Sequence, residues 1–216
     1  ELASRKESTK QAELSLMELY FQREAYDSAK IFAEKILSRE VLEVETVQKA
    51  EMTLAKANFE NENYKLALLH LDTVSSFSNE MGAEAKYLKA KIHYLLGEYG
   101  KSDTAAYSLL DQIPTYPYWV GKGFILLADN YIAKEDYYNA TLAFENVIDN
   151  ADNEELVNIA KEKLALMKKN QEEKEAEKPE AVELDFNQSE PTDQRLFEED
   201  SLLIGPQDLK SAEDEK

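Results

Sequence analysis

The sequence predicts an all-α protein of stacked helix pairs, and three observations carry that prediction. A tyrosine followed three residues later by a small residue recurs as Tyr26/Ala29, Tyr64/Ala67, Tyr99/Ser102 and Tyr137/Ala140, at steps of 38, 35 and 38 residues. A further small residue stands nine positions before the tyrosine in three copies, as Ala55, Ala90 and Ala128, with Met17 in the first. Six glycines and five prolines in 216 residues suit long helices better than many short strands. A fixed period with two apolar helical segments in each repeat is the pattern of a helical array.

Each element follows from this register. The opening stretch ELASRKESTKQAELSLMEL reads as the first helix of copy one, and residue 1 is Glu rather than Met. That predicts a C-terminal fragment of a longer chain, or a processed one. Copy three, Ala83–Pro114, shows the pattern most fully, with Ala83, Ala85, Tyr87, Ala90, Tyr94, Gly97, Tyr99 and Pro114. Copy four gives Phe124, Leu127, Ala128, Tyr131, Tyr137, Ala140 and Phe144. These residues resemble the tetratricopeptide repeat (TPR) family over roughly residues 9–150. Copies three and four, with YPYWVGKGFILLADNYIAKEDYYNA between them, are similar to repeats of bacterial cell-envelope TPR proteins. The resemblance implies a right-handed TPR-like solenoid of about four helix pairs. Lys86 and Lys89 depart from it, standing where copy three would prefer apolar residues. The two 38-residue steps imply inserts at two junctions.

Packing explains the spacing. A small residue is needed on each helix of a pair where the backbones approach, and Phe144 and Leu71 fill the next layer. The tyrosine wedges between repeats, and no pair buries its apolar face alone. After copy four, Leu156, Ile159, Ala160, Leu164 and Met167 recur at helical intervals. Asn153 and Glu154 suit the start of a capping helix. That helix should fray before Pro179, because a residue preceding proline avoids helical angles. The domain reading is therefore a 1–178 array with its cap and a 179–216 acidic tail, mostly disordered on composition. Within the tail, RLFEEDSLLIG carries an apolar cluster.

Charge narrows the functions. The net charge is −19, and residues 171–216 alone hold 16 acidic against 5 basic residues. Such a chain does not suit a phosphate backbone or an anionic membrane surface. No apolar run is long enough to insert into a bilayer. With no cysteine, disulfides, Cys-ligated zinc and thiol nucleophiles are excluded. His70 and His93 stand on different repeats without metal or triad spacing, and the adjacent carboxylates read as solvated faces. Gly121 and Gly123 in VGKGF lack the rest of a phosphate loop and read as a helix start. The expectation is no enzyme and no cofactor.

The resemblance instead points to the first helix of each pair as the ligand face. The groove candidates it implies are Lys49, Met52, Lys56 and Phe59 in copy two, Tyr87, Lys91 and Tyr94 in copy three, and Lys122, Ile125 and Asp129 in copy four. Glu84 joins them in copy three, and copy one offers Leu14, Glu18 and Phe21. The Lys/Asn carboxylate clamp of some family members is not reproduced. Lysines interleaved with tyrosines suit an acidic, partly apolar peptide; they also read as simple solvation of the face. Trp119, beside Tyr116, Pro117 and Tyr118, reads as packing between repeats or as an aromatic shelf for a ligand. The expected function is a protein–protein interaction scaffold presenting a concave groove to a peptide or protein segment, acidic in character. The chain's own tail, 183–204, is one candidate occupant. The resemblance implies a cell-envelope or periplasmic assembly, with the cytoplasm as the other compartment. The alternative function is an architectural or oligomerisation segment with no separate ligand, using a face near Leu2, Leu14, Leu16 and Leu19.

Overall fold

The computed structural model describes residues 2–176, with the side chains of residues 8–176. Contacts divide the chain into two units, Glu1–Ala176 and Glu177–Lys216. The expected tail lies outside the described residues.

Nine helices form the described unit: α1 (Leu2–Gln22), α2 (Tyr26–Leu37), α3 (Val44–Glu60), α4 (Tyr64–Ser75), α5 (Glu80–Leu95), α6 (Tyr99–Leu110), α7 (Pro117–Ala133), α8 (Tyr137–Asn150) and α9 (Glu154–Ala176). No strand occurs among the described residues. Each repeat tyrosine is the first residue of an even-numbered helix. Every helix packs on the next, and each odd helix also packs on the following odd helix. Among the described residues no even helix packs on another even helix. The array therefore has a closed odd-helix layer and an even-helix layer with gaps between its members.

A shared stop signal sets the register. Two residues before each tyrosine the backbone turns left-handed, at Glu24 (φ 58°), Glu62 (φ 58°), Gly97 (φ 71°) and Glu135 (φ 60°). The next amide reaches five residues back, as Asn63 N–H to Asn58 O at 2.8 Å and Glu98 N–H to His93 O at 2.8 Å. This closure satisfies carbonyls at the end of the odd helix and reverses the chain. Only copy three uses the glycine that this backbone favours. The loops before α3 (residues 38–43) and α7 (residues 111–116) are each two residues longer than the one before α5 (residues 76–79). With one extra residue in the odd helix, they account for the 38-residue steps.

The eight small or repeat-defining positions, Met17, Ala29, Ala55, Ala67, Ala90, Ser102, Ala128 and Ala140, are all buried. Ser102 keeps its hydroxyl dry by donating to Ala90 O at 2.8 Å and accepting from Asn130 Nδ2 at 2.9 Å. Four buried clusters each join an odd helix, the even helix after it and the next odd helix, as Met52, Ala67, Leu71 and Ile92 do. Apolar burial is thus assembled across junctions, as stacking requires. Phe144 and Leu71 are fully buried, as their layer predicts. The tyrosines pack mainly within their own turn: Phe21–Tyr26, Phe59–Tyr64 and Tyr94–Tyr99 have ring centroids 5.5, 5.9 and 5.9 Å apart.

Gly121 and Gly123 do not start a helix, contrary to expectation. Pro117 starts α7 at its first position, where its missing amide costs nothing. The glycines lie inside it, where a Cβ would stand 2.8 Å from Leu156 Cδ1 and 3.2 Å from Leu109 Cδ2. They let α9 and α6 close on α7. Asn153 caps α9 as expected, its Oδ1 accepting from Leu156 N–H at 3.0 Å.

Candidate peptide-binding face

The odd helices carry a charge ladder whose register is counted from the repeat tyrosines. Eight residues before each tyrosine stand Glu18, Lys56, Lys91 and Asp129; fifteen before stand Gln11, Lys49, Glu84 and Lys122. Because consecutive odd helices pack together, the first position of one copy faces the second position of the next. Glu18 meets Lys49 at 3.9 Å, and Lys56 meets Glu84 at 2.6 Å. Asp129 meets Lys163 of α9 at 2.8 and 2.9 Å. At the junction of copies three and four the same positions hold two lysines, Lys91 and Lys122. Neither has a carboxylate within 4 Å among the described residues.

Aromatic rings hold these lysines instead. Lys91 Nζ lies 5.2 Å from the Phe59 ring centroid. Lys122 Nζ lies 4.7 Å from Tyr87, 5.1 Å from Trp119 and 5.3 Å from Tyr118. Trp119 also packs on Tyr87 at 5.6 Å, joining α5 to α7. Such contacts are worth ~0.5–1 kcal/mol in exposed settings and about 2 when desolvated. Burial lowers the Lys122 pKa, and Lys56 adds to the shift; Glu84 and Glu155 act the other way through space. Burial, then Asp129 and Tyr118, push the Tyr87 phenol up to about 12. Burial raises the Asp129 carboxyl, against the pull of its Lys163 partner. Tyr94 is raised by burial and then by Asp129.

The structure sorts the expected residues into three groups. Lys49, Lys56 and Asp129 are committed to ion pairs between repeats, Lys49 also pairing with Glu45 at 3.1 Å. Phe59, Tyr87, Lys91, Tyr94 and Lys122 are half-buried along the odd-helix face. Met52 and Ile125 are corrections. They are 4% and 8% exposed and belong to the core between helices, so they offer a ligand little surface. Leu14 likewise packs beside the buried Met17 cluster, leaving Leu16 and Leu19 as the exposed leucines of α1 among the described side chains. Lys163 was not anticipated. Its signal is its spacing of 34 residues from Asp129, close to the repeat period.

His70 Nδ1 sits 2.7 Å from Glu51, and on another repeat His93 Nδ1 sits 2.7 Å from Glu98, which Lys101 shares at 2.8 Å. No group of three or more potential metal ligands occurs among the described residues. No described helix is long and apolar enough to cross a membrane.

The fold thus defines an all-α, repeat-like array of helix pairs. Compared with protein families, curated proteins and solved structures, the chain finds no match.

Proposed function

We propose that this protein is a TPR-like, right-handed scaffold whose odd-helix face is a concave groove for an acidic, partly apolar protein segment. One observation carries the reading: the charge ladder closes on itself at three junctions and leaves Lys91 and Lys122 without a counter-charge at the fourth. A carboxylate arriving between them supplies the missing rung, and Tyr87, Tyr94 and Phe59 provide apolar wall beside it. The likeness of copies three and four to envelope repeats favours a role in cell-envelope assembly.

The occupant has two sources, another protein or the segment 183–204 of this chain, where a short connection gives high effective concentration. The full-length chain, isotopically labelled, tests both. Lys91→Glu and Lys122→Glu should move the amide resonances of residues 183–204 if the tail is the occupant. If those resonances stay put, the same variants should weaken a labelled glutamate–leucine peptide about tenfold in anisotropy. Lys56→Glu should do less. Unchanged tail resonances together with unchanged peptide binding would reject the groove. The architectural alternative rests on Leu16 and Leu19, 37% and 40% exposed on α1. It requires concentration-dependent self-association in sedimentation velocity that Leu19→Glu abolishes.

A further inference from the structure

The even-helix side presents a different chemistry. Its helices do not touch one another, so open grooves run between them, each floored by an odd helix. Thirteen residues before the repeat tyrosines, the floor positions are Glu13, Glu51, Lys86 and Phe124; ten before, they are Leu16, Leu54, Lys89 and Leu127. On α1, which no even helix precedes, Glu13 is closed by Arg39 and Lys35. In the groove between α2 and α4, Glu51 is closed by His70. In the groove between α4 and α6 the sign is inverted, and a lysine also replaces the leucine.

That groove, between α4 and α6 over α5, holds a cleft of about 470 Å³. Lys86, Lys89, His93, Lys101, Thr104 and Ser108 line it, with Ser75 and Ala105, and no carboxylate does. Such a lining is unusual in a chain of net charge −19. Lys86 Nζ has Gln112 Oε1 at 2.7 Å and no carboxylate within 4 Å among the described residues. Lys89 reaches the exposed Asp72 at 2.6 Å, and Lys101 and His93 share Glu98 at 2.8 and 2.7 Å. Neither carboxylate lines the cleft. Burial lowers the Lys86 pKa and the neighbouring Lys89 charge adds to it; of the two, Lys86 has no carboxylate partner among the described residues. Thr104 and Ser108 donate to carbonyls of their own helix at 3.0 and 2.8 Å. Rotation about one bond turns either hydroxyl toward the cleft.

We propose that the cleft between α4 and α6 binds a small phosphate-type polyanion, contacted by Lys86, Lys89 and Lys101 and by the Thr104 and Ser108 hydroxyls. Lysine serves such a ligand as a point charge, and a cleft of this volume lies within the range of small-molecule sites. The site is separate from the odd-helix face and does not depend on the peptide reading.

Pyrophosphate titrated into the full-length protein by calorimetry tests it, with citrate as a second anion. Pyrophosphate should bind saturably, and Lys86→Gln and Lys101→Gln should each weaken it about tenfold. Lys101 is 65% exposed, so its variant keeps the proposal testable should Lys86→Gln disturb folding. In amide spectra of the wild-type chain, Lys86, Lys89, Thr104 and Ser108 should shift with pyrophosphate. Absence of binding overturns the proposal, as does binding that both variants leave unchanged. Weakening confined to Lys91→Gln would place the anion on the opposite face and also overturn it. Citrate binding as tight as pyrophosphate would overturn the phosphate class.

Discussion

The junction of copies two and three and the junction of copies three and four use the same backbone to opposite ends. At the first, Lys56 and Glu84 meet at 2.6 Å, and the charges serve as inter-repeat glue. At the second, Lys91 and Lys122 stand at the equivalent positions and lean on rings. The entries differ as well. The four-residue loop into α5 brings Gly82 against Phe77 O, where a Cβ would lie 1.9 Å away. The six-residue loop into α7 leaves room for Val120 at the equivalent position. One junction has a tight entry and is electrically closed; the other has a roomier entry and is electrically open. A repeat array can therefore hold its shape through one junction and offer chemistry at the next.

The largest expected effect strikes the tight junction. Gly82→Ala should cost about 3 kcal/mol, because the clash is with backbone that cannot rotate away. Val120→Ala should cost less than about 1 kcal/mol. Urea midpoints of both variants check the contrast, and equal losses would break it.

The open junction should show itself at high pH. Tyr87 has an ordinary phenol value when unfolded and about 12 when folded. Its contribution is fully present below the unfolded value and is lost as pH rises from about 10 to about 12. Between pH 9 and pH 11 the loss from this phenol should be about 1 kcal/mol. Tyr87→Phe should keep the ring and flatten that part of the slope in urea titrations at the two pH values.

Charge reversal gives the sharpest comparison. Lys56→Glu places two carboxylates together and should destabilise by about 1 kcal/mol. Lys91→Glu places a carboxylate opposite Lys122 and should change stability by less than about 0.5 kcal/mol, in either direction, since a new pair replaces one ring contact. Thermal melts at low and high salt separate the two, and equal destabilisation would mean that Lys91 already has a partner.

The turns differ in a smaller way. Glu62 in copy two holds a left-handed backbone that Gly97 holds freely in copy three. Glu62→Gly should stabilise by about 0.5 kcal/mol, the strain relieved exceeding the entropy glycine adds. A fall in urea midpoint would show that the Glu62 side chain compensates for its own strain.

Much of this was legible before any coordinate. The tyrosine register named the first residue of four helices, and the small residues named the close approaches. The lysines were legible as a group, but their fates were not. Lys49, Lys56, Lys91 and Lys122 look alike in the chain, while pairing depends on which side chain the next odd helix brings opposite. Met52 and Ile125, expected on the groove face, are buried because they share a helix with half-exposed positions yet point between helices. Gly121 and Gly123 read as a helix start because the true start, Pro117, lies inside the aromatic stretch that reads as an insert.

The sequence by itself determined the period, the helix pairs and the acidic balance, because these depend on local spacing and composition. Only the tertiary structure decided which charges are closed and which are open. Ion pairing requires two groups within about 4 Å, and residues some 30 apart in the chain reach that distance only once neighbouring odd helices have packed.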